Sequence, residues 1–318
     1  MADLPKFDQL PIIGKTGERH SWGIWGKDDQ LGMVNLLTPE RVRHAASLVR
    51  KGKVFNLEPS RSIPHPARSK DEPYHHEITV GRTGRTDHVD HWELHGGMAH
   101  MDGLRHMRYR EFGYYQGLQD EDLDRDVMLG IERWGEHGIV GRGVFIDVPY
   151  HFEKRGQSLD PNARFPIGPD LIEAIAEEEG VEFQPGDIML LRTGWMRWYL
   201  GLTPEERHVT HGTVHPGDDG LHCPGLDATQ PTASWLWDHQ FSLLWADNIA
   251  LEVMPVQGSE FQHRRIIPLM GMGIAELLSF EELSADCAED GVYECMVSAK
   301  PAGVPGACGS PANAYAIK

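Results

Sequence analysis

The residues best suited to chemistry lie in one short stretch, His95-Gly96-Gly97-Met98-Ala99-His100-Met101-Asp102-Gly103-Leu104-Arg105-His106. His100, Asp102 and His106 hold even positions, and even positions of an extended chain share one face. His100 and Asp102 would then point the same way, about 7 Å apart along the chain at ~3.3 Å per residue. Glycines 96, 97 and 103 let the backbone turn and let bulky groups approach. Two imidazoles and a carboxylate match the donor preference of zinc, manganese or ferrous iron. The same spacing also arises among ordinary structural histidines, so alone it is a moderate signal. Other catalytic signatures fail. There is no Gly-x-Ser-x-Gly elbow. Gly271-Met272-Gly273 lacks the third glycine of a dinucleotide fingerprint, and no Gly-Lys-Ser or Gly-Lys-Thr phosphate loop occurs.

The elements that must position this stretch are partly legible. Thr38 and Pro39 open a helix as N-cap and first helical residue, Val42, Ala45, Ala46 and Val49 form its apolar stripe, and Gly52 ends it. Apolar runs predict strands over 54–57, 143–148 (stopped by Pro149), 186–194, 241–246 and 293–298. Helical spacing predicts helices over 170–179, 232–239 and 280–289. Stretches 60–75, 201–222 and 300–313 read as loops. Strands and helices mix without a strict βαβ period, which predicts an α/β protein with a mixed sheet. No linker is visible, so a single domain over 36–318 is expected, preceded by an arm over 1–35 that packs on a neighbour or on the site.

Composition narrows the classes. Of 318 residues 40% are hydrophobic and 25% charged, which excludes a disordered chain, a collagen and a coiled coil. The net charge of −18 would repel a phosphate backbone, so a nucleic-acid partner is not expected. The longest apolar stretch, Ile266 to Leu278, is broken by Pro268 and falls short of the roughly 20 residues a membrane span needs. Met1 to Lys6 shows no basic segment leading into an apolar run, and the four cysteines form no Cys-x-x-Cys pair. A cytoplasmic protein with reduced thiols is expected.

The histidine segment resembles the signature of the cyclase family of metal-dependent hydrolases, which includes bacterial kynurenine formamidase, isatin hydrolase and a trans-dienelactone hydrolase. Further stretches are similar to its longer bacterial members, in the same order along nearly the whole chain. They are Trp25 through Asn35-Leu36-Leu37-Thr38-Pro39-Glu40, Gly138 to Val144, Pro185-Gly186-Asp187 running to Arg192-Thr193-Gly194-Trp195, Pro224-Gly225-Leu226, and the tail Val304-Pro305-Gly306 with Gly309-Ser310-Pro311. The resemblance implies a swivelling β/β/α fold and hydrolysis of a small amide, lactam or lactone by metal-activated water. It implies that His100 and Asp102 hold a metal, that His106 is the acid/base, and that His263 and Glu276 are the further ligand pair that can hold a second ion with Asp102. The chain departs from the pattern at Gly96, where the family has its first histidine. His95 stands one residue earlier and is expected to reach the metal through a bulge at Gly96 and Gly97. His263 and Glu276 are thirteen residues apart, one more than the pattern, so one ion, zinc or manganese, is expected rather than two.

The remaining candidates concern the substrate, expected to be a small molecule. Trp22 and Trp25 could line a pocket mouth or simply pack the arm, and His222 precedes Pro224-Gly225-Leu226 and could reach the substrate. Aromatic residues around 22–25, 109–115 and 195–199 favour a flat or cyclic substrate. A homo-oligomer, dimer or tetramer, is expected from the resemblance. Two other readings stay open: a relative that binds a metal or ligand without catalysis, and a metal-dependent lyase or true cyclase.

Overall fold

The structure, a computed structural model, describes residues 4–60, 75–90, 94, 99–209, 222–257 and 261–318. In chain order its strands are β1 (Val54–Asn56), β2 (His75–Val80), β3 (Arg85–Asp90), β4 (His100–Asp102), β5 (Ile139–Asp147), β6 (Phe165–Ile167), β7 (Ile188–Arg192), β8 (Pro224–Leu226), β9 (Leu243–Ala246), β10 (Gly273–Glu276), β11 (Glu294–Ala299), β12 (Gly309–Pro311) and β13 (Ala314–Ile317). The helices are α1 (Pro39–Ser47), α2 (Asp120–Asp126), α3 (Glu132–His137), α4 (Val148–Glu153), α5 (Pro169–Glu179), α6 (Trp195–Gly201), α7 (Pro204–Val209), α8 (Gln230–Asp238), α9 (His263–Met270) and α10 (Glu281–Asp290).

Nine strands form one mixed sheet in the order β1-β13-β11-β5-β7-β9-β10-β4-β12. The four central strands β5, β7, β9 and β10 run parallel, and every pairing outside them is antiparallel. β7, β9 and β10 are buried at every position, as a parallel sheet covered on both faces requires. This is the mixed-sheet α/β architecture expected from the sequence. The hairpin β2–β3 and the pair β6–β8 stand apart from it.

The interior of the sheet is tied by ion pairs. In the parallel register of β5 and β7, Asp147 sits opposite Arg192, and Arg192 Nη1 donates to Asp147 Oδ1 at 2.7 Å. Arg192 also donates to both carboxylate oxygens of Glu281, at 3.1 and 2.9 Å. One strand-length away Arg142 donates to Asp187 at 3.1 and 2.9 Å and to Glu294. Asp247 at the end of β9 accepts from Thr193 N at 2.6 Å, Thr193 Oγ1 at 2.7 Å and Gly194 N at 2.8 Å. The Arg-Gly-Val, Gly-Asp and Arg-Thr-Gly stretches are thus a structural frame. Leaving one such charge without its partner costs about 3–5 kcal/mol, which explains why they come in matched pairs.

Several elements differ from the sequence expectation. Pro149 opens α4 rather than only stopping β5: Asp147 accepts from Tyr150 N at 3.1 Å, and a missing N–H costs nothing in a first helical turn. The apolar run 266–278 splits into α9, which contains Pro268, and β10, with Gly271 as the left-handed C-cap between them. The 300–313 stretch contains β12, which forms only through long-range pairing with β4. As the outermost strand it tolerates Pro311. Residues 4–35 pack along α8 and α9. Trp237 Nε1 donates to Pro5 O at 2.9 Å, Phe7 N to Asp238 Oδ1 at 2.8 Å, and Ser21 N to Leu269 O at 2.8 Å. Among the described residues no helix is long and apolar enough to cross a membrane.

Glu179, at the end of α5, is buried beside Asp147. Burial first, and the Asp147 charge second, push its carboxyl up to about 8. A raised carboxyl favours the folded state while protonated, so this stability is full below the ordinary glutamate value and is lost as pH climbs toward 8. Glu179→Gln therefore gains on the wild type between pH 5 and 8.5, by about 4 kcal/mol at ~1.4 kcal/mol per pKa unit. Denaturant unfolding at both pH values checks this, and equal differences at the two pH values contradict it.

Candidate metal centre

β4 and β10 build the site. They pair antiparallel with Glu276 opposite His100 and Ile274 opposite Asp102. Strand alternation therefore puts His100, Asp102 and Glu276 on one face. One donor atom from each lies within 4.8 Å of the others. His100 Nε2 is 3.5 Å from Asp102 Oδ1 and 3.5 Å from Glu276 Oε2. All three are buried.

His106 arrives by another route. β4 ends at Asp102, and the chain turns at once, with His106 N donating to Gly103 O at 3.0 Å. The turn, not strand alternation, returns the His106 ring to Asp102, where Nε2 lies 3.7 Å from Oδ2. Its even numbering is incidental. His106 is less buried than the carboxylates and lines a cavity of about 440 Å³.

His263 enters from the first turn of α9. Its Nδ1 donates to Glu252 Oε2 at 2.7 Å, and its Nε2 lies 2.7 Å from Glu276 Oε1 and 3.6 Å from Asp102 Oδ2. Burial alone would lower its pKa, but the Glu252 and Glu276 carboxylates override this and raise it to about 10. Glu252 was not among the sequence candidates. No spacing marks it, because only the fold brings the 248–252 loop to α9. The loop can approach because position 225 is glycine: a Cβ there would lie 2.4 Å from the Glu252 carbonyl carbon. Asn248 Nδ2 fastens the same loop, donating to Pro224 O at 2.8 Å and Leu251 O at 3.1 Å. The Pro224-Gly225-Leu226 stretch thus acts on the site through Glu252.

The donor set suits a divalent cation. Asp102, Glu252 and Glu276 are three carboxylates out of water against the buried imidazoles of His100 and His263. Even with both imidazoles protonated the group carries excess negative charge, which a cation would offset. The structure brings His100, Asp102, His106, His263 and Glu276 together. His95 lies outside the described residues. Trp22, Trp25 and His222 do not line the cavity beside His106. Trp22 instead packs behind it, on the cluster of Ile13, Tyr109 and Leu269, with its Nε1 donating to Pro268 O at 2.7 Å.

Comparison with known proteins agrees with the fold. A search of curated protein sequences gives no match. The chain is similar to a solved structure described as a novel cyclase, at 30% identity and TM-score 0.80, over 94% of this chain and 99% of that one. It also shares its fold with isatin hydrolase A from Ralstonia solanacearum, at 16% identity and TM-score 0.58 over 84% of this chain and 92% of that one. An isatin hydrolase bound to the product analogue thioisatinate aligns at 15% identity and TM-score 0.56, over 83% of this chain and 91% of that one. The Cyclase family model matches residues 39–253. With that match and the close likeness to a solved cyclase, the chain belongs to the cyclase family.

Proposed function

We propose that this protein is a metal-dependent hydrolase that opens a small amide, lactam or lactone of flat or cyclic shape. The observation that carries the reading is the convergence of His100, Asp102 and Glu276 on one face of β4 and β10, with His106 beside them at a cavity. These three would hold one divalent ion, zinc or manganese, with His263 adjoining Glu276 and His95 as the further ligand the sequence offers. Such an ion supplies Lewis acidity, polarising a carbonyl and acidifying water. His106 takes the proton of the attacking water and returns it to the departing nitrogen or oxygen. Asp102, within 3.7 Å of the His106 ring, stabilises the imidazolium that forms. Glu252 fixes the orientation of His263 through Nδ1. The fold shared with isatin hydrolases supports a cyclic amide as the bond type.

The described cysteines are all free thiols, which suits the reducing cytoplasm we propose as its location. Assembly into a homodimer or homotetramer is proposed with it. The test is turnover of a panel of formamides, cyclic imides, isatin and unsaturated lactones, with and without supplied zinc or manganese. Metal-dependent hydrolysis of any member is the expected result. Metal binding with no turnover across the panel would move the protein to the class of non-catalytic relatives.

A further inference from the structure

The cavity beside His106 carries a charge opposite to that of the chain. The net charge is −18, yet four arginines line this cavity, at 108, 110, 264 and 265. Two of them are committed. Arg265 is buried and donates to both oxygens of Glu18 at 2.9 Å each and to Gln262 at 2.7 Å. Arg108 donates to Asp120 at 2.9 Å. Arg110 and Arg264 are exposed, and among the described residues neither guanidinium pairs with a carboxylate. Arg264 follows His263 directly in α9, and Arg110 lies 5.2 Å above the Tyr109 ring. Ring stacking orients a guanidinium and leaves its edge donors turned outward.

Apart from His106 and Met107, the other lining residues among those described are the aromatic Tyr109, Tyr114 and Phe261, and Phe261 stacks on the His263 ring at 4.5 Å between centroids. A flat ring fits such walls, and about 440 Å³ accommodates one small molecule of one or two rings. An acidic chain repels anions at long range, but beyond about 8 Å physiological salt screens that repulsion. Within the cavity the nearest charges dominate, and these are guanidinium forks matched to planar oxyanions.

We infer that the substrate carries a carboxylate in addition to the bond that is cut, and that Arg264 and Arg110 are the residues that select it. This rests on the hydrolase reading for its reaction but not for its binding. The carboxylate would sit at the arginines while the ring lies against Phe261 and Tyr109, presenting the bond toward His106. Arg264 is then a specificity residue that acts on binding, not on the proton transfers.

Calorimetric titration of the full chain as purified tests this with benzenesulfonate, an aromatic anion that ligates metals weakly, against neutral methyl phenyl sulfone. The wild type binds the sulfonate more tightly than the sulfone. Arg264→Gln weakens sulfonate binding about 10-fold or more, the worth of one charge-assisted pair. It leaves sulfone binding, metal content and the melting temperature unchanged. Arg110→Gln acts in the same direction and serves if the first variant folds poorly. No preference for the anion in the wild type, or sulfonate binding that survives both substitutions in folded protein, overturns the inference. A chain that binds the sulfonate through Arg264 yet hydrolyses nothing in the panel overturns the hydrolase reading alone.

Discussion

Asp102→Asn removes metal and turnover together. Asp102 is the hub of the centre: its carboxylate lies 3.5 Å from His100, 3.7 Å from His106 and 3.6 Å from His263. An amide keeps the shape and withdraws the charge that a divalent ion needs. Elemental analysis should show a metal ratio near one per chain in the wild type and near zero in the variant. Turnover should fall roughly 10³-fold or more, the several kcal/mol that a Lewis acid contributes. Stability separates this from simple misfolding. A chelator lowers the melting temperature of the wild type, because a bound ion stabilises the state that holds it. The same chelator leaves the melting temperature of Asp102→Asn unmoved. Stripped of metal, the variant should melt no lower than the stripped wild type, since it has lost a buried negative charge beside Glu276. Full metal occupancy in Asp102→Asn would sink the assigned ligand set.

His106→Ala gives the complementary result. Turnover drops by roughly 10²–10⁴-fold, the usual worth of a positioned acid/base, while the metal stays bound. The two effects separate because His106 sits at the cavity edge. Its ring is 6.4 Å from that of His263, and the Asp102 carboxylate approaches it only to 3.7 Å, beyond hydrogen-bond distance. Removing it leaves the contacts of His100, Glu276 and His263 in place. The vacated space opens on the cavity, so added imidazole should recover part of the lost rate in the variant and none in Asp102→Asn. Wild-type turnover in His106→Ala would remove the histidine from the mechanism.

The contrast between these variants follows the line between local and tertiary information. The shared face of His100 and Asp102 was readable because alternation is a local property: two residues of an extended chain two positions apart point the same way. The α1 cap at Thr38 and Pro39 was readable for the same reason, since Thr38 accepts from Arg41 N within a single turn. His263 and Glu276 entered by resemblance to a family, not by any pattern in their own neighbourhood.

What the chain could not show locally is what long-range pairing created. Glu276 meets His100 because β10 lies antiparallel against β4, a register between segments more than 170 positions apart. Glu252 had no mark at all: its role exists only where Gly225 lets the 248–252 loop approach and where α9 presents His263 Nδ1. The arginine cavity has the same origin, drawing on residues near 108 and near 264 that share no spacing. The sequence by itself determined the donor types, the local strand and cap geometry, and the overall acidity. The tertiary structure decided which carboxylates share the face with His100, how a turn returns His106 to Asp102, and where positive charge gathers in a negative chain. Side-chain alternation and capping act over a few residues, whereas the convergence of donors depends on sheet order and packing, which no short window of residues contains.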